Sequence, residues 1–155
     1  MSGRIEARLR ELGIEVPKAG EVAGNYVPFV RTGDLLFIAG QLPVWMGERR
    51  FKGKLGREIT IEQGQQAARL CGLNILAHLR NAVGGDIDRV VRCVRLGGFV
   101  NSTDDFGEQP QVVNGCSNLM VEVFGDLGRH ARTAVGVNIL PFDLAVEVES
   151  QWEVR

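Results

Sequence analysis

No run in this 155-residue chain approaches the roughly 20 consecutive apolar residues of a membrane-spanning helix, which excludes an integral helical membrane protein. The opening SGRIEARLREL is too charged to be the apolar core of a signal peptide and reads as a helix, so a soluble, cytoplasmic protein is expected. Cysteine is scarce: Cys71, Cys93 and Cys116 are an odd number, lack Cys-x-x-Cys spacing, and each lies inside an apolar periodic segment. That pattern argues against a disulfide framework and points to buried free thiols. The only histidines, His78 and His130, are far apart and belong to no carboxylate or cysteine pattern with metal-ligand spacing, so no metal site is expected. A basic excess is also missing. With 18 Lys and Arg against 19 Asp and Glu, the net charge of −1 argues against a dedicated nucleic-acid binder and leaves a small anionic substrate open.

What is present suits one compact domain. The chain is 45% hydrophobic and 24% charged, and a domain of this size buries roughly 70% of its unfolded surface. Residues 1–155 are read as one domain, with 1–24 a helical extension and linker. Ile5, Leu9 and Leu12 share one face of a short helix that Ser2 can cap and Gly13 can end. Tyr26–Val30 and Leu35–Gly40 are β-prone runs around a Gly33-Asp34 turn and read as a hairpin. From Gln41 to Glu58 the chain holds Pro43, three glycines and the cations Arg49, Arg50, Lys52, Lys54 and Arg57, a pattern expected of a long exposed loop. Gly47–Lys54 is no phosphate loop, because the glycine spacing is wrong and Leu55 stands where Ser or Thr is required.

Thr60 and Gln63 make a capping box for a helix running to about Ala82, with Ala68, Cys71, Ile75 and Leu79 at helical spacing and Gly84-Gly85 as its stop. Arg89–Val100 is β-prone. A second helix is announced by Asp104 or Asp105 and by Pro110, and presents Val113, Cys116, Met120, Phe124 and Leu127 on one side. Arg132–Val137 and Leu144–Val154 then alternate as strands; in the latter Val146, Val148, Trp152 and Val154 take one face and Glu147, Glu149, Gln151 and Glu153 the other. Hairpin, helix, strand, helix and two strands give an α+β sheet with both helices on one face. The other face then needs a cover, and a homo-oligomer supplies it.

Arg132 is the candidate for chemistry, since a guanidinium captures a carboxylate through parallel N–H donors and no acidic residue flanks it in sequence. Glu147, fifteen positions on, can orient or deprotonate a water, the more so if burial raises its pKa. Strand periodicity alone allows a plainer arrangement, a hairpin that sets the two opposite each other as a cross-strand ion pair. His130 reads as a surface histidine at a strand start, with a role as an acid beside Arg132 as the alternative.

Tyr26-Val27, Ile38-Ala39-Gly40-Gln41-Leu42-Pro43, Val113-Asn114, Ala131-Arg132-Thr133-Ala134-Val135 and Val146-Glu147-Val148-Glu149 resemble, in order, the signature blocks of the RidA (YjgF) family of enamine/imine deaminases. The resemblance runs from about Tyr26 to the C-terminus. It implies a chorismate-mutase-like α+β fold, a homotrimer whose sheets line a central barrel, and a ligand cleft at each subunit interface. The last two strands would then not be neighbours. By the same resemblance Arg132 binds the substrate carboxylate, Glu147 positions water, and Tyr26, Gly40 and Asn114 line the cleft. The implied reaction hydrolyses a 2-imino or 2-enamino acid to a 2-oxo acid and ammonia, with no metal or organic cofactor. The alternatives are a non-catalytic trimeric module that binds a small carboxylate metabolite, or an endoribonuclease activity through the basic loop.

This chain departs from the family pattern at three places. Ala39 stands where the family often has serine before Gly-Gln, Ala134 where it often has cysteine two residues after the arginine, and Ser117-Asn118 where a helix turn often bears tyrosine. The N-terminal helix, the long basic loop and Asn114–Asn118 resemble a longer branch of the superfamily.

Overall fold

The computed structural model describes residues 3–155. In chain order the elements are α1 (Arg4–Glu11), β1 (Phe29–Thr32), β2 (Leu35–Gln41), β3 (Val44–Trp45), β4 (Glu48–Arg49), α2 (Ile61–Ala82), β5 (Val90–Asn101), α3 (Gln109–Phe124), β6 (Ala131–Val137) and β7 (Val146–Val154). Five strands form one mixed sheet in the order β1-β2-β7-β5-β6, in which only β5 and β6 run parallel. The expected α+β architecture, with α2 and α3 covering one sheet face, is the one observed.

The strict alternation of β7 explains the layering. Val146, Val148, Ser150, Trp152 and Val154 are buried toward the helices, while the residues between them are partly open. Trp152 lies in the core against Phe124 of α3, ring centroids 5.3 Å apart. The capping box forms as expected: the Gln63 amide N–H donates to Thr60 Oγ1 at 3.1 Å, and the Thr60 N–H to Gln63 Oε1 at 2.9 Å. α2 and α3 approach closely at Gly115, where a Cβ atom would meet the Gln65 carbonyl oxygen at 2.0 Å. The three cysteines are free and buried, and burial pushes their thiol pKa values up. No helix among the described residues is long and apolar enough to cross a membrane.

Several boundaries differ from the sequence expectation. The proposed cap Ser2 lies outside the described residues. Instead, the Asp88 carboxylate, distant in sequence, accepts the Arg4 N–H at 2.7 Å and the Ile5 N–H at 2.9 Å. β1 begins at Phe29 and not at Tyr26, since Pro28 has no N–H to donate to a ladder. α3 begins at Gln109, after Asp105 has accepted the Thr103 hydroxyl, and Leu127 lies beyond its end in a 3-10 turn, exposed and not on the core face.

The basic segment 47–57 is the larger correction. It is not a free loop, because Leu55 is fully buried and the chain around it is hydrogen-bonded to the sheet's end, Leu55 N–H to Asn101 O and Gly53 N–H to Asp143 O. Four of its five cations are also engaged. Arg49 stacks 3.4 Å over the Phe142 ring, Arg50 and Arg57 face Glu48 and Glu58, and the Lys54 ammonium donates to Asn101 Oδ1 and the Asn138 carbonyl.

Candidate functional site

β6 is an edge strand, and its register sets Arg132 beside Leu96 of β5. Leu96 is wholly buried under the helices, so Arg132 projects from the same face and reaches α3. There its Nη1 donates to Asn114 Oδ1 at 2.7 Å and to Ser117 Oγ at 3.1 Å. Asn114 and Ser117 are three residues apart on the helix, a spacing that presents both on one turn. Arg132 makes no ion pair with a carboxylate among the described residues. A partly buried guanidinium held only by neutral groups keeps its charge available to an anion.

The hydrogen-bonded chain continues behind Arg132. Ser117 Oγ lies 2.9 Å from His130 Nε2, and His130 Nδ1 lies 2.7 Å from the Gly128 carbonyl. A carbonyl oxygen can only accept, so Nδ1 carries the proton in the neutral ring and Nε2 takes the Ser117 hydroxyl proton. Burial pulls the His130 pKa below its ordinary value; the Gly128 carbonyl opposes this and the Arg132 charge adds to it. His130 is thus no simple surface histidine. Ser117, Asn118, Val121, Arg129, His130 and Arg132 line an open cavity of about 250 Å³.

Glu147 belongs to a different place. It pairs with Phe99, three positions along β5 from Leu96, and therefore projects from the sheet face opposite Arg132. The two are not a cross-strand ion pair, because β5 separates their strands. Glu147 is half-buried, and burial, followed by the nearby Glu149 charge, raises its pKa. Gly40 packs its backbone against this carboxylate: a Cβ there would come within 2.9 Å of Glu147 Oε1. The close approach occurs where the β2–β7 register shifts between Ile38 and Gln41. Tyr26 and Gly40 share a cavity of about 220 Å³ whose floor includes Asn74 and the buried His78.

The five expected residues therefore form two groups within one chain. Arg132 and Asn114 sit on the helix side of the edge strand, and Glu147, Gly40 and Tyr26 on or beside the other face. Ser117 was not among the expected site residues, and His130 entered only as the alternative of an acid beside Arg132. Their spacing held the signal: Ser117 is one helical turn from Asn114, and His130 is two residues from Arg132 on the same strand face. No cluster of three or more metal-ligating side chains occurs among the described residues.

The family profile described as "YjgF/chorismate mutase-like, putative endoribonuclease" matches residues 6–149. The chain belongs to this YjgF/RidA family. Protein TCP17 of Trypanosoma cruzi is 47% identical over 99% of this chain and 96% of its own length. The crystal structure of Atu1372 from Agrobacterium tumefaciens, a protein of unknown function, superposes with a TM-score of 0.91 at 45% identity, covering 97% of this chain and 92% of that one. A more distant relative, Escherichia coli TdcF with bound serine, is 25% identical with a TM-score of 0.64 over 91% of this chain and 96% of its own.

Proposed function

We propose that this protein is a cofactor-free enamine/imine deaminase that hydrolyses 2-imino or 2-enamino acids to 2-oxo acids and ammonia, working as a homotrimer with a cleft between neighbouring subunits. The observation that carries the reading is the guanidinium of Arg132, held by Asn114 and Ser117 with no acidic partner among the described residues. Such a group is suited to a substrate carboxylate. Glu147 is suited to the water, because its raised pKa makes it a stronger base than an exposed glutamate. These two groups face away from each other in one chain, so a shared substrate requires the Arg132 side of one subunit to meet the Glu147 side of the next. The helix-free side of the molecule favours that assembly: Tyr26, Val27, Val30, Phe37 and Val135 are all exposed. Serine bound to TdcF supports a carboxylate-bearing small molecule as ligand.

In the reaction, the substrate reacts as the iminium, its nitrogen carrying one more proton than the imine; the water oxygen bonds to its carbon as Glu147 takes one of the water protons and the C=N electron pair moves to nitrogen. The proton on Glu147 passes to the amine, the C–N bond breaks with its electron pair leaving on ammonia, and the hydroxyl becomes the carbonyl as its proton returns to the carboxylate. The test is decay of an imino acid generated in place by an amino-acid oxidase, followed as loss of a semicarbazone-forming species. Wild-type protein is expected to accelerate the decay, Glu147→Gln to stop turnover while still binding a 2-oxo acid, and Arg132→Ala to lose both. No acceleration by the wild type would leave only the carboxylate-binding module. The endoribonuclease alternative has less support, since four of the five loop cations that would meet RNA phosphates are engaged with Phe142, Glu48, Glu58, Asn101 and Asn138.

A further inference from the structure

We propose that Ser117 and His130 form a proton-donating pair at the Arg132 end of the cleft, with Ser117 the catalytic residue that touches the ligand and His130 the positioning residue that holds the proton behind it. The target nitrogen rests on the deaminase reading; the coupling of a proton to carboxylate binding does not.

The geometry fixes what each partner can do. In the neutral state Ser117 spends its hydroxyl proton on His130 Nε2 and one lone pair on Arg132, so it has no proton to offer a ligand. Protonating His130 reverses the first bond. Nε2–H then donates to Ser117 Oγ, Nδ1–H stays on the Gly128 carbonyl, and the Ser117 hydroxyl proton turns toward the cavity. One proton on the histidine thus converts Ser117 from a closed group into a donor 3.1 Å from the guanidinium nitrogen that would hold a carboxylate.

Burial and the charges around His130 decide when this happens. Arg132 lies on its own strand, and Arg129 precedes it with Asp126 3.2 Å away. Arg92 of β5 donates to the Arg129 carbonyl at 3.3 Å. From α3 the ring meets uncharged Ser117 and, across the cavity, Asn118. Burial first, and then the Arg132 charge, favour a neutral ring while the site is empty. A carboxylate on Arg132 supplies the missing negative charge and draws a proton onto His130, and by reciprocity a proton there strengthens carboxylate binding.

Applied to an imino acid, the step balances. The imine nitrogen takes the Ser117 hydroxyl proton through its lone pair as Ser117 takes the proton of His130, giving an iminium, a restored serine and a neutral histidine. Water then adds at carbon with Glu147 as base, and ammonia leaves as described above. Glu147 ends one proton richer and His130 one poorer, and solvent returns the proton. Acid and base would approach the substrate from two different subunits.

The test uses the full-length protein in two assays. Binding of 2-oxobutyrate by calorimetry between pH 5.5 and 8 is expected to tighten toward the acid side with proton uptake in the wild type. The same titration should be flat in His130→Gln, whose amide can still donate to Ser117 but holds no titratable proton. Imine hydrolysis should fall about 10- to 100-fold in Ser117→Ala and His130→Gln, mainly in kcat, and recover in Ser117→Thr. Wild-type binding without pH dependence, or a pH dependence that persists in His130→Gln, overturns the pair. Hydrolysis undiminished in His130→Gln overturns the proton-donating role while leaving the deaminase standing. Proton-linked binding without imine hydrolysis by the wild type supports the pair and removes the imine as its target.

Discussion

Two inactive variants of this protein should restore each other. Arg132→Ala keeps Glu147, Gly40 and Tyr26 intact, and Glu147→Gln keeps Arg132, Asn114 and Ser117 intact, because the two groups project from opposite sheet faces and share no contact within a chain. If each cleft takes its Arg132 side from one subunit and its Glu147 side from the next, a mixed assembly contains clefts in which both halves are wild type. With equal amounts and random assembly, the Arg132 side is intact with a chance of one half and the facing Glu147 side independently with a chance of one half. About a quarter of the clefts are then complete, whatever the size of a closed ring. The assay is to denature and refold the two variants together, or to co-express them with different tags, and to measure imine hydrolysis against wild type at equal total protein. Each variant refolded alone sets the background. Recovery near one quarter is expected. No recovery in mixtures shown by tag capture to be mixed would refute the split site, and with it the subunit-interface reading.

Two further predictions concern what holds the site's scaffold. Asp88→Ala removes the carboxylate that caps α1 through the Arg4 and Ile5 amides, and should cost about 1 kcal/mol in denaturant unfolding at pH 7. The Asp88 pKa is lowered first of all by the Ile5 amide, so its stabilisation is present above the ordinary aspartate value of 3.8 and is lost as pH falls through the lower folded value. The gap between wild type and variant should therefore close on acidification; a constant gap would show that the carboxylate charge is not what caps the helix. Gly115→Ala places a methyl 2.0 Å from the Gln65 carbonyl and forces α2 and α3 apart, so it should cost about 3 kcal/mol, read as a lower denaturation midpoint.

The sequence carried the sheet and its helices because their signals are local. Period-two burial in β7, the Thr60–Gln63 box and the helical spacing of Ala68, Cys71, Ile75 and Leu79 each depend on neighbours within a few residues. What escaped it depends on distant partners. The α1 cap comes from Asp88, 84 positions beyond the amide it binds, and no reading of residues 1–12 could supply it. Leu55 looked like a loop residue because glycines and cations surround it, yet its side chain is buried with its backbone between Asn101 and Thr103. Periodicity alone would likewise pair Arg132 with Glu147, a pairing that the family resemblance already set aside and the sheet order rules out. Periodicity fixes which residues of a strand share a face, but not which strand lies alongside, and β5 inserted between β6 and β7 turns an apparent ion pair into two separate groups.

That separation also bears on the residues this chain lacks. Ala39 and Ala134 stand where relatives often carry a serine and a cysteine, so the two strands contribute less polar chemistry to the cleft than the family pattern leads one to expect. Ala134 is partly buried and packs against the core, and it offers Arg132 nothing to bond. The polar groups beside Arg132 come instead from α3, through Asn114 and Ser117, and from the strand's own start, through His130. A helix-borne hydroxyl backed by an imidazole can pass on a proton, which the methyl group of Ala134 cannot. On this reasoning the substitutions at positions 39 and 134 do not mark a degraded site. With Ser117 as the proposed donor, restoring the strand groups with Ala39→Ser or Ala134→Cys should change activity less than removing Ser117.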